Sequence, residues 1–479
     1  MPLRRDDRTQ GQFPLMEIRS ARQVPLWWEA VDAKPTRKAL DGDLDVDLAI
    51  VGAGFTGLWC AYYLSKLDPA LNIAVIEKDH VGFGASGRNG GWCHAEYPLG
   101  HERLVADHGY DAALAQMRAL FASVDAVGRV AAEEGITCDF SKGGVLTVAR
   151  SDLQVGYAIE EVESAREFGL TDDDIRLLGP DEAREMLNAT GVAGGVWSAH
   201  GAAVHPAKLV HGLARVVEAA GVTIYERTAV TGVGRDVVRT RAGDVRAPMI
   251  VVAMEGYRSQ LSGEARRIIP LYSLMVATEP LSDAVWQEIG LADRQTFGDF
   301  RNLIIYGQRT ADDRLAFGGR GAPYHWGSAI KPGYDIDDGV HAELMRVLLE
   351  LFPVLANFEI THRWGGPLGV ARDWRPSVTV NHGKGIAWAG GYVGDGVNTA
   401  HMAGQTLAEL ITRTETERTS LPWINHAWPR WEPEPLRWIG INAGLALAKA
   451  ADRTEQRTGR HSRKADLGLW MRGRSRQRT

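Results

Sequence analysis

The clearest pattern of apolar and polar positions lies between Asp47 and Asp79. A short apolar run leads into a glycine cluster, which is followed by a helical pattern and by a second apolar run. Short apolar runs that alternate with helical stretches are typical of βαβ units, whose strands lie parallel in one sheet. The segment therefore predicts a strand, a helix and a second strand at the start of an α/β domain.

The same periodicities predict elements along the rest of the chain. Helical spacing of alanine, leucine and charged residues predicts helices over 111–134, 153–167, 207–220 and 341–352. Strand patterns cover 144–148, 222–226, 275–304, 315–319 and 386–389. Because the α/β alternation returns after residue 206, we expect the first domain to resume there.

Composition and charge narrow the class of protein. A chain of 479 residues, of which 45% are hydrophobic, is too long for one domain of ordinary size. The net charge of -6 gives no reason to expect a nucleic-acid partner. Three scattered cysteines form neither a disulfide framework nor a metal pair, so we expect a cytoplasmic protein without a metal site. No apolar run reaches membrane-spanning length, so we expect no integral membrane segment.

A phosphate-binding turn is predicted between the first strand and the first helix. Gly52, Gly54 and Gly57 form the pattern G-x-G-x-x-G directly after the strand, and Glu77 ends the next strand. Such glycines permit a tight turn, close approach of the backbone to a pyrophosphate and close helix packing, while the acid accepts hydrogen bonds from a ribose. The pattern alone leaves FAD and NAD open. The predicted contacts in this unit are Gly52, Gly54, Phe55, Thr56, Gly57, Glu77 and Lys78.

Two further glycine-rich segments bear on that choice. GFGASGRNGGW covers residues 82–92, directly after the Glu77 strand, and AGGYVGDGVNTAHMAGQTLAELI covers residues 389–411. With the turn at Gly52, they resemble the D-amino-acid oxidase-like family of FAD-dependent oxidoreductases, in which 82–92 matches the second flavin loop. The resemblance implies noncovalent FAD in a Rossmann-type FAD-binding domain with the glutathione-reductase-like fold.

The resemblance also implies a division into domains. We expect the FAD-binding domain to be interleaved with an α+β substrate domain built on an antiparallel sheet, followed by a C-terminal helical tail. Beyond residue 453 the chain is rich in Lys and Arg, and we expect this part to be mobile. The expected ranges are 1–45 for an N-terminal extension, 46–110, 190–272 and 365–420 for the FAD-binding domain, 111–189 and 273–364 for the substrate domain, and 421–479 for the helical extension and basic tail.

Further cofactor contacts follow from the resemblance, residue by residue. In the second flavin loop they are Ala85, Ser86, Gly87, Arg88, Asn89, Gly90 and Gly91. Val230 and Ala253 match positions where the family passes backbone along the cofactor. The family's C-terminal glycine turn brings N–H groups and a helix N-terminus to the flavin's pyrimidine end. Its matching residues are Gly391, Tyr392, Gly394, Gly396, Val397 and Asn398.

As to the reaction, the resemblance implies oxidation of the C–N bond of a small amine or amino-acid derivative by hydride transfer to the flavin. The amine must be neutral for this step, and a poorly hydrated aromatic pocket favours the neutral form. The aromatic candidates for this pocket are Tyr272, Tyr306, Tyr324, His325, Trp364 and Tyr392.

The chain departs from the family near the expected substrate. The segment WGGPLG, residues 364–369, lacks the arginine that glycine oxidase places there for a carboxylate, so Arg320, Arg372 or Arg375 is expected to substitute. The cysteine and lysine typical of sarcosine oxidase are also missing, and His94 stays open as a covalent attachment point. Asp395 is expected to meet a substrate ammonium. The expected catalytic set is Tyr272, Tyr306, Arg320, Trp364 and Asp395.

Two other functions stay open on the sequence alone. Related families oxidise hydroxy acids or polyols on the same fold, and a flavin-bearing subunit without turnover of its own is a third possibility. The electron acceptor is open as well, between oxygen and another acceptor.

Overall fold

The computed structural model describes residues 20–31, 34 and 36–471. In chain order its strands are β1 Leu44–Asp45, β2 Leu48–Val51, β3 Ile73–Ile76, β4 Trp92–His94, β5 Val145–Ala149, β6 Ile175–Leu178, β7 Gly194–Ser198, β8 Gly201–Ala203, β9 Thr223–Tyr225, β10 Val230–Gly234, β11 Val237–Thr240, β12 Asp244–Arg246, β13 Met249–Val252, β14 Ile268–Thr278, β15 Thr296–Asp299, β16 Ile305–Arg309, β17 Leu315–Arg320, β18 Ile360–Ala371, β19 Ser377–Asn381 and β20 Ile386–Gly390. Its α-helices are α1 Phe55–Leu67, α2 His101–His108, α3 Tyr110–Glu133, α4 Asp152–Glu167, α5 Pro180–Met186, α6 Pro206–Ala219, α7 Asp283–Ile289, α8 Asp338–Leu351, α9 Gly396–Thr412, α10 Leu436–Thr458 and α11 Arg463–Met471.

A six-stranded sheet carries the predicted βαβ unit. Its strand order is β19-β20-β13-β2-β3-β9, with β2, β3, β9, β13 and β20 parallel and β19 antiparallel at one edge. Every residue of β2 and β3 is buried, because helices cover one face of the sheet and strands β11 and β12 of a smaller sheet cover the other. Helix α1 packs against α6 and α9, which the sequence placed far from it. The prediction of a Rossmann-type α/β domain is confirmed.

An eight-stranded sheet forms the second layer. Its order is β18-β14-β17-β16-β15-β5-β7-β6, and it is antiparallel except for the parallel pair β15 and β5. Strands β14 and β18 pair from Ile268 with Ala371 to Thr278 with Ile360, so they form its longest ladder. Helix α8 packs on this sheet and buries Leu344 and Leu348 against it. The largely antiparallel sheet agrees with the α+β expectation.

The predicted domain boundaries can be compared with these elements. The boundary at 272/273 falls inside β14, and the boundary at 364/365 falls inside β18. Strand β7, which lies in the range 190–272, is a member of the eight-stranded sheet. Both β14 and β18 belong wholly to the eight-stranded sheet, so the chain passes between the two large sheets before β14 and after β18 rather than at these residues. The assignment of ranges to domains stays a prediction.

Most of the predicted elements are present, with one exception in the range 275–304. The helices predicted over 111–134, 153–167, 207–220 and 341–352 are α3, α4, α6 and α8. Within 275–304, however, residues Asp283–Ile289 form helix α7 instead of a strand. Trp286 and Ile289, three positions apart, bury the apolar side of this helix. Two apolar positions in seven residues are too short a pattern to separate helix from strand.

The expectation of a mobile tail beyond residue 453 is wrong as far as residue 471. Helix α10 runs to Thr458, and α11 packs back on it. Before residue 453, Ile441, Ala448 and Ala451 are buried, and the Asp452 carboxylate accepts N–H hydrogen bonds from residues 302 and 303 at 2.7 and 3.0 Å. Beyond it, Ala465 is buried and the Ser462 N–H donates to the Glu455 carboxylate at 2.9 Å. Small apolar residues at helical spacing anchor this helix, although its basic composition suggested a solvated segment. Residues 472–479 lie outside the described part.

The remaining strands form two small sheets, one with the order β1-β12-β11-β10 and one that pairs β4 with β8. Across the ranges 20–31 and 36–471, no helix combines the length and apolar character needed to cross a membrane.

Candidate active site

A larger cavity of about 480 Å³ opens at the carboxyl ends of the parallel strands β2, β3 and β13. This edge of an open α/β sheet is where ligands bind, because the loops that leave the strands diverge there. The larger cavity runs from the end of β3 past the glycine turn to the N-terminus of α9. It is therefore long enough to be lined by all three glycine-rich segments.

The glycine turn is required by backbone contacts as well as by a ligand. Gly52 has φ +108°, and a Cβ atom there would lie 2.5 Å from the Ala253 oxygen. A Cβ atom on Gly57 would lie 2.1 Å from the Gly52 oxygen, so only glycine lets α1 approach β2 this closely. Gly54 instead faces the larger cavity, and its Cβ atom would lie 2.9 Å from the Ser86 hydroxyl oxygen. Of the three, Gly54 is the one that leaves space for a ligand.

Glu77 closes one end of the larger cavity. Its Oε2 accepts a hydrogen bond from the Ala53 N–H and its Oε1 one from the Asp79 N–H, both at 2.9 Å. Burial raises the pKa of Glu77, and these two N–H groups offset part of that rise. A carboxylate held in this way keeps lone pairs for ribose hydroxyls. Lys78 and Val230 line the same end, and Lys78 is exposed.

The loop over residues 82–92 is fixed by side chains from distant segments. The Trp27 indole N–H donates to the backbone oxygen of Asn89 at 2.7 Å, and the Trp364 indole N–H donates to the backbone oxygen of Arg88 at 2.8 Å. The Gln308 amide donates to the Gly90 oxygen at 2.6 Å. On the cavity side, the Ser86 hydroxyl accepts the Phe55 N–H at 2.8 Å. The loop is thus held rigidly against the N-terminus of α1.

Arg88 points away from the larger cavity, which it was expected to line. Its guanidinium donates to the Asp335 carboxylate at 2.6 Å, to the Gly365 oxygen at 3.1 Å and to the Phe83 oxygen at 2.8 Å. Burial raises the pKa of Asp335, although Arg88 opposes that rise. An arginine committed to an acid and two carbonyls has no role as a phosphate ligand. It instead connects the loop over residues 82–92 to Gly365 of β18.

The C-terminal glycine turn closes the other end of the larger cavity. The Gly391 and Tyr392 N–H groups donate to Oε1 of Glu255 at 2.8 and 3.1 Å. The Tyr392 hydroxyl lies 3.0 Å from the Thr56 hydroxyl, so this turn meets the N-terminal turn directly. Helix α9 begins at Gly396 on the cavity wall without a side-chain cap. Its N-terminal end can therefore stabilise negative charge in the cavity.

The structure brings most of the predicted cofactor residues together on one wall. Those that line the larger cavity are Gly52, Gly54, Phe55, Thr56, Glu77, Lys78, Ala85, Ser86, Asn89, Val230, Ala253, Tyr392, Gly394, Gly396 and Val397. The others belong to its supports: Gly57, Gly87, Gly91 and Gly391 allow close backbone packing, and the Asn398 amide donates to the Leu120 oxygen. Asn398 is buried away from the cavity, so its expected cofactor contact is not seen.

A smaller pocket of about 120 Å³ adjoins the larger cavity. The two share the lining residues Ala85, Asn89, Leu368, Gly394 and Val397. Gly90 and Arg88 line the smaller pocket rather than the larger cavity. A ligand in one space would therefore meet a ligand in the other across a shared wall.

Three of the five expected catalytic residues line the smaller pocket. They are Tyr306, whose hydroxyl lies 2.8 Å from the Ser273 hydroxyl, Arg320 and Asp395. Arg320 donates to the Val393 oxygen and lies over the Trp374 ring, 5.9 Å from its centroid. Among the described residues, no carboxylate lies within salt-bridge distance of Arg320, whereas Arg88 is already paired. Arg320 is thus the pocket's available cation.

An acid and a histidine face each other on another side of this pocket. His94 Nε2 lies 3.0 Å from Oδ1 of Asp395, and Oε2 of Glu96 lies 3.8 Å from His94 Nδ1. Burial alone would lower the pKa of His94, but the hydrogen bond and charge of Asp395 and the charge of Glu96 raise it above its ordinary value. Ligand atoms of the three residues lie within 4.8 Å of one another, close enough to hold a metal ion. The expectation of no metal stays a prediction.

Four of the aromatic candidates lie away from both spaces. Tyr272 packs edge-on against His325 and Tyr334, and its hydroxyl has no hydrogen-bond partner in the described part of the chain. The Tyr324 hydroxyl bonds Glu434, and Trp364 supports the loop at Arg88. Tyr272 and Trp364 therefore do not line the pocket as expected, because the β14–β18 ladder turns them into the sheet's packing. Tyr306 and Tyr392 are the candidates that line a cavity.

The two alternative arginines are also elsewhere. Arg372 donates to the Glu432 carboxylate at 3.0 Å, and Arg375 pairs with Asp107. Neither lines the larger cavity or the smaller pocket.

Sequence reasoning missed the residues that complete these walls. Glu255 and Tyr257 line the larger cavity, as do Pro367–Gly369. Trp92, Ser273 and Met275 line the smaller pocket. An acid directly after a buried strand, as in AMEGY at 253–257, was a usable signal, since polar residues at strand ends face ligands in α/β sheets.

Comparison with known proteins identifies the fold and the family. The model of the DAO family, described as FAD dependent oxidoreductase, matches residues 47–410. The chain belongs to this family. It is 30% identical to gamma-glutamylputrescine oxidoreductase of Escherichia coli strain K12 over 384 residues, which cover 79% of this chain and 86% of that protein. It is 26% identical over 411 residues to sarcosine oxidase subunit beta of Rhodobacter capsulatus, covering 81% and 88% of the two chains.

Solved structures share the fold of this DAO-family chain. Glycine oxidase from Geobacillus kaustophilus superposes with a TM-score of 0.66 at 20% identity, covering 78% of this chain and 96% of that one. L-proline dehydrogenase from P. horikoshii gives 0.64 at 22% identity, covering 79% and 96%. The family cofactor is FAD, and the larger cavity fits it on three observations. These are a glycine turn open to phosphate at Gly54, a ribose acceptor at Glu77 and an uncapped helix at Gly396.

Proposed function

We propose that this FAD-dependent oxidoreductase oxidises the C–N bond of a small amine or amino-acid derivative. The supporting observation is the smaller pocket, which shares a wall with the larger cavity and presents Arg320 and the pair His94–Asp395. A pocket lined by the cation Arg320 and the acids Asp395 and Glu96 matches a substrate that carries both a carboxylate and an amine. The names of relatives such as gamma-glutamylputrescine oxidoreductase and sarcosine oxidase subunit beta support the same class.

The protein's part in the reaction is to bind, orient and deprotonate the substrate, while FAD in the larger cavity supplies the hydride acceptor. Arg320 binds the substrate carboxylate through its guanidinium, whose orientation the Val393 oxygen and the Trp374 ring fix. Asp395 holds the amine nitrogen at the other side of the pocket. The two charges together turn the C–N bond toward the shared wall at Leu368 and Gly394.

Proton removal falls to the His94–Asp395 pair. An ammonium has no lone pair to release, so the amine must lose a proton before its C–H bond can give up a hydride. His94 takes up that proton at Nδ1, because its Nε2, 3.0 Å from Oδ1 of Asp395, already donates to that carboxylate, and Asp395 stabilises the resulting imidazolium. Tyr306 and Ser273, joined at 2.8 Å, provide hydroxyl groups for other polar parts of the substrate.

Three finer expectations accompany this proposal. The flavin is held noncovalently, since Cys60, Cys93 and Cys138 are buried away from the larger cavity and His94 is engaged with Asp395. The electron acceptor is oxygen or another small or protein acceptor. The cytoplasmic location expected from cysteine usage also stays a prediction.

The test is anaerobic reduction of the bound flavin by a panel of compounds, followed by absorbance. We expect bleaching by secondary amines and amino-acid derivatives that carry a carboxylate, and no bleaching by hydroxy acids or polyols of matched size. Reduction by the alcohols alone would overturn the proposal. So would a flavin that none of these compounds reduces until a partner protein is added.

A further inference from the structure

Glu255 joins the three segments that close one end of the larger cavity. It follows β13 and begins the 3-10 helix Glu255–Gln260, with a left-handed φ of 45°. Its Oε1 accepts the Gly391 and Tyr392 N–H groups, and its Oε2 lies against Gly369, where a Cβ atom would approach it to 1.7 Å. One carboxyl group therefore connects the end of β13, the edge of β18 and the C-terminal glycine turn.

This carboxyl group lacks a counter-charge. No Lys, Arg or His side chain within residues 36–468 forms a salt bridge with it, and its buried Oε2 has no hydrogen-bond partner there. The N–H groups of Gly256 and Gly369 lie close enough to lower its pKa but do not make hydrogen bonds to Oε2. Burial outweighs these dipoles and raises the pKa of Glu255 to about 7.

The titratable groups next to Glu255 are tyrosines whose pKa is raised by burial and an arginine that is paired with another residue. On its own helix, the pKa of Tyr257 is raised to about 12 by burial, and Arg258 is paired with Glu264. On the glycine turn, burial raises the pKa of Tyr392, and the segment Pro367–Gly369 has no ionisable side chain. The other charged residues along the larger cavity are Glu77, Lys78 and Arg241.

We propose that Glu255 is the proton-holding residue of the cofactor site, which takes up a proton when the dianionic FAD binds. A carboxylate in the wall of a cavity that receives two phosphate charges is repelled by them, and protonation removes that repulsion. The neutral acid still accepts the Gly391 and Tyr392 N–H groups through Oε1, so the turn keeps its place. FAD affinity is therefore coupled to pH through this one side chain.

The test uses the full-length chain freed of flavin and titrated with FAD at a series of pH values from about 6 to about 8.5. For the wild type we expect roughly tenfold weaker binding at the alkaline end, because only the neutral form binds well. Glu255→Gln keeps an oxygen for the two N–H groups and carries no charge. It should bind FAD at every pH about as tightly as the wild type does at low pH.

A matched control comes from the other buried carboxylate of the same cavity. Glu77→Gln should weaken FAD binding at all pH values, because it impairs the ribose acceptor, and should keep the wild-type pH dependence. Circular dichroism of each flavin-free variant checks that it folds. Wild-type binding that does not change with pH, a Glu255→Gln variant with the wild-type slope, or a folded Glu255→Gln variant that does not bind would each overturn the proposal.

Calorimetry of the wild type alone provides a second readout that does not depend on any variant folding. At about pH 8, titration with FAD in buffers of different ionisation enthalpy should show uptake of close to one proton per FAD. Absence of uptake, or release of a proton, would contradict the proposal. No substrate is involved in these measurements, so their outcome does not depend on whether the proposed amine oxidation is correct.

Discussion

The larger cavity and the smaller pocket share a wall but are built in different ways. The larger cavity is formed mainly by backbone, at glycines and helix N-termini such as Gly54 and Gly396, and its shape is dictated by close packing. The smaller pocket is formed mainly by side chains, such as Arg320, Asp395 and Tyr306, that arrive from separate strands and loops. A site built from backbone groups suits a cofactor that stays the same. In a site built from side chains, substitutions can alter the substrate preference while the fold is retained.

The largest effect on FAD binding is expected at Gly54, in the larger cavity. Gly54→Val places a branched side chain against Ser86 and into the space left for phosphate. We expect FAD affinity to fall by roughly a hundredfold or more, equivalent to about 3 kcal/mol, with the fold retained. Flavin content after purification and FAD titration measure this. Gly156→Val, at a helix position with open space around it, is the matched control and should keep its flavin. Unchanged flavin in both variants would show that the phosphate turn is misassigned.

A second effect is expected at Asp395, in the side-chain pocket. Asp395→Asn preserves the shape of the residue but removes the charge that supports His94 and the amine. We expect kcat/KM to fall by about a hundredfold, in the range of a lost proton-transfer partner, with flavin content unchanged. Asp373→Asn removes a similar Asp–His pair, with His426, outside the pocket and should leave kcat/KM as it is. Equal losses in both variants would point to stability rather than to catalysis.

Arg320 is expected to favour substrates with a carboxylate over amines without one. Arg320→Met removes the pocket's unpaired cation, and we expect kcat/KM for substrates with a carboxylate to fall roughly thirtyfold, or about 2 kcal/mol. Arg320→Lys should recover part of this loss, because the charge returns without the planar geometry. Amines without a carboxylate should be little affected. Arg372→Met, whose arginine pairs with Glu432 elsewhere, is the control. A uniform loss for both substrate types would refute carboxylate binding by Arg320.

The smallest expected effect is a change in pH dependence at His94. Asp395 and Glu96 raise the pKa of His94 against the effect of burial, so the protonated form, which cannot accept the substrate proton, persists to higher pH than it would in a free imidazole. The kcat/KM of the wild type should therefore rise with pH through that pKa. His94→Asn should lose this limb of the profile and be slower at its alkaline end. A profile that keeps the same limb would assign the proton acceptor elsewhere.

The glycine turn beside the larger cavity could be recognised in the sequence because its requirements are local. Gly52 and Gly57 must be glycines because a side chain would clash with Ala253 or with the turn itself. These steric requirements place glycines at a fixed spacing, which is visible in the sequence. The smaller pocket was predicted only in part, since it depends on strand register. The pairing of Ser273 with both Arg320 and Gly366 places Arg320 in the pocket. The β14–β18 ladder also sets the positions of Tyr272 and Trp364, which line neither cavity.

Glu255 shows a further limit of sequence reasoning. Its carboxyl group matters because residues 369, 391 and 392 meet it in space, and none of these is near it along the chain. Helix α10 makes the same point for packing, because Asp452 is anchored by backbone N–H groups some 150 positions away.

The most direct measurement of the central claim is the stoichiometry of FAD in the purified full-length chain. The account predicts a yellow protein that releases one intact FAD per chain on denaturation and regains one on reconstitution. A protein that contains no flavin and takes up none when FAD is supplied in excess would contradict it.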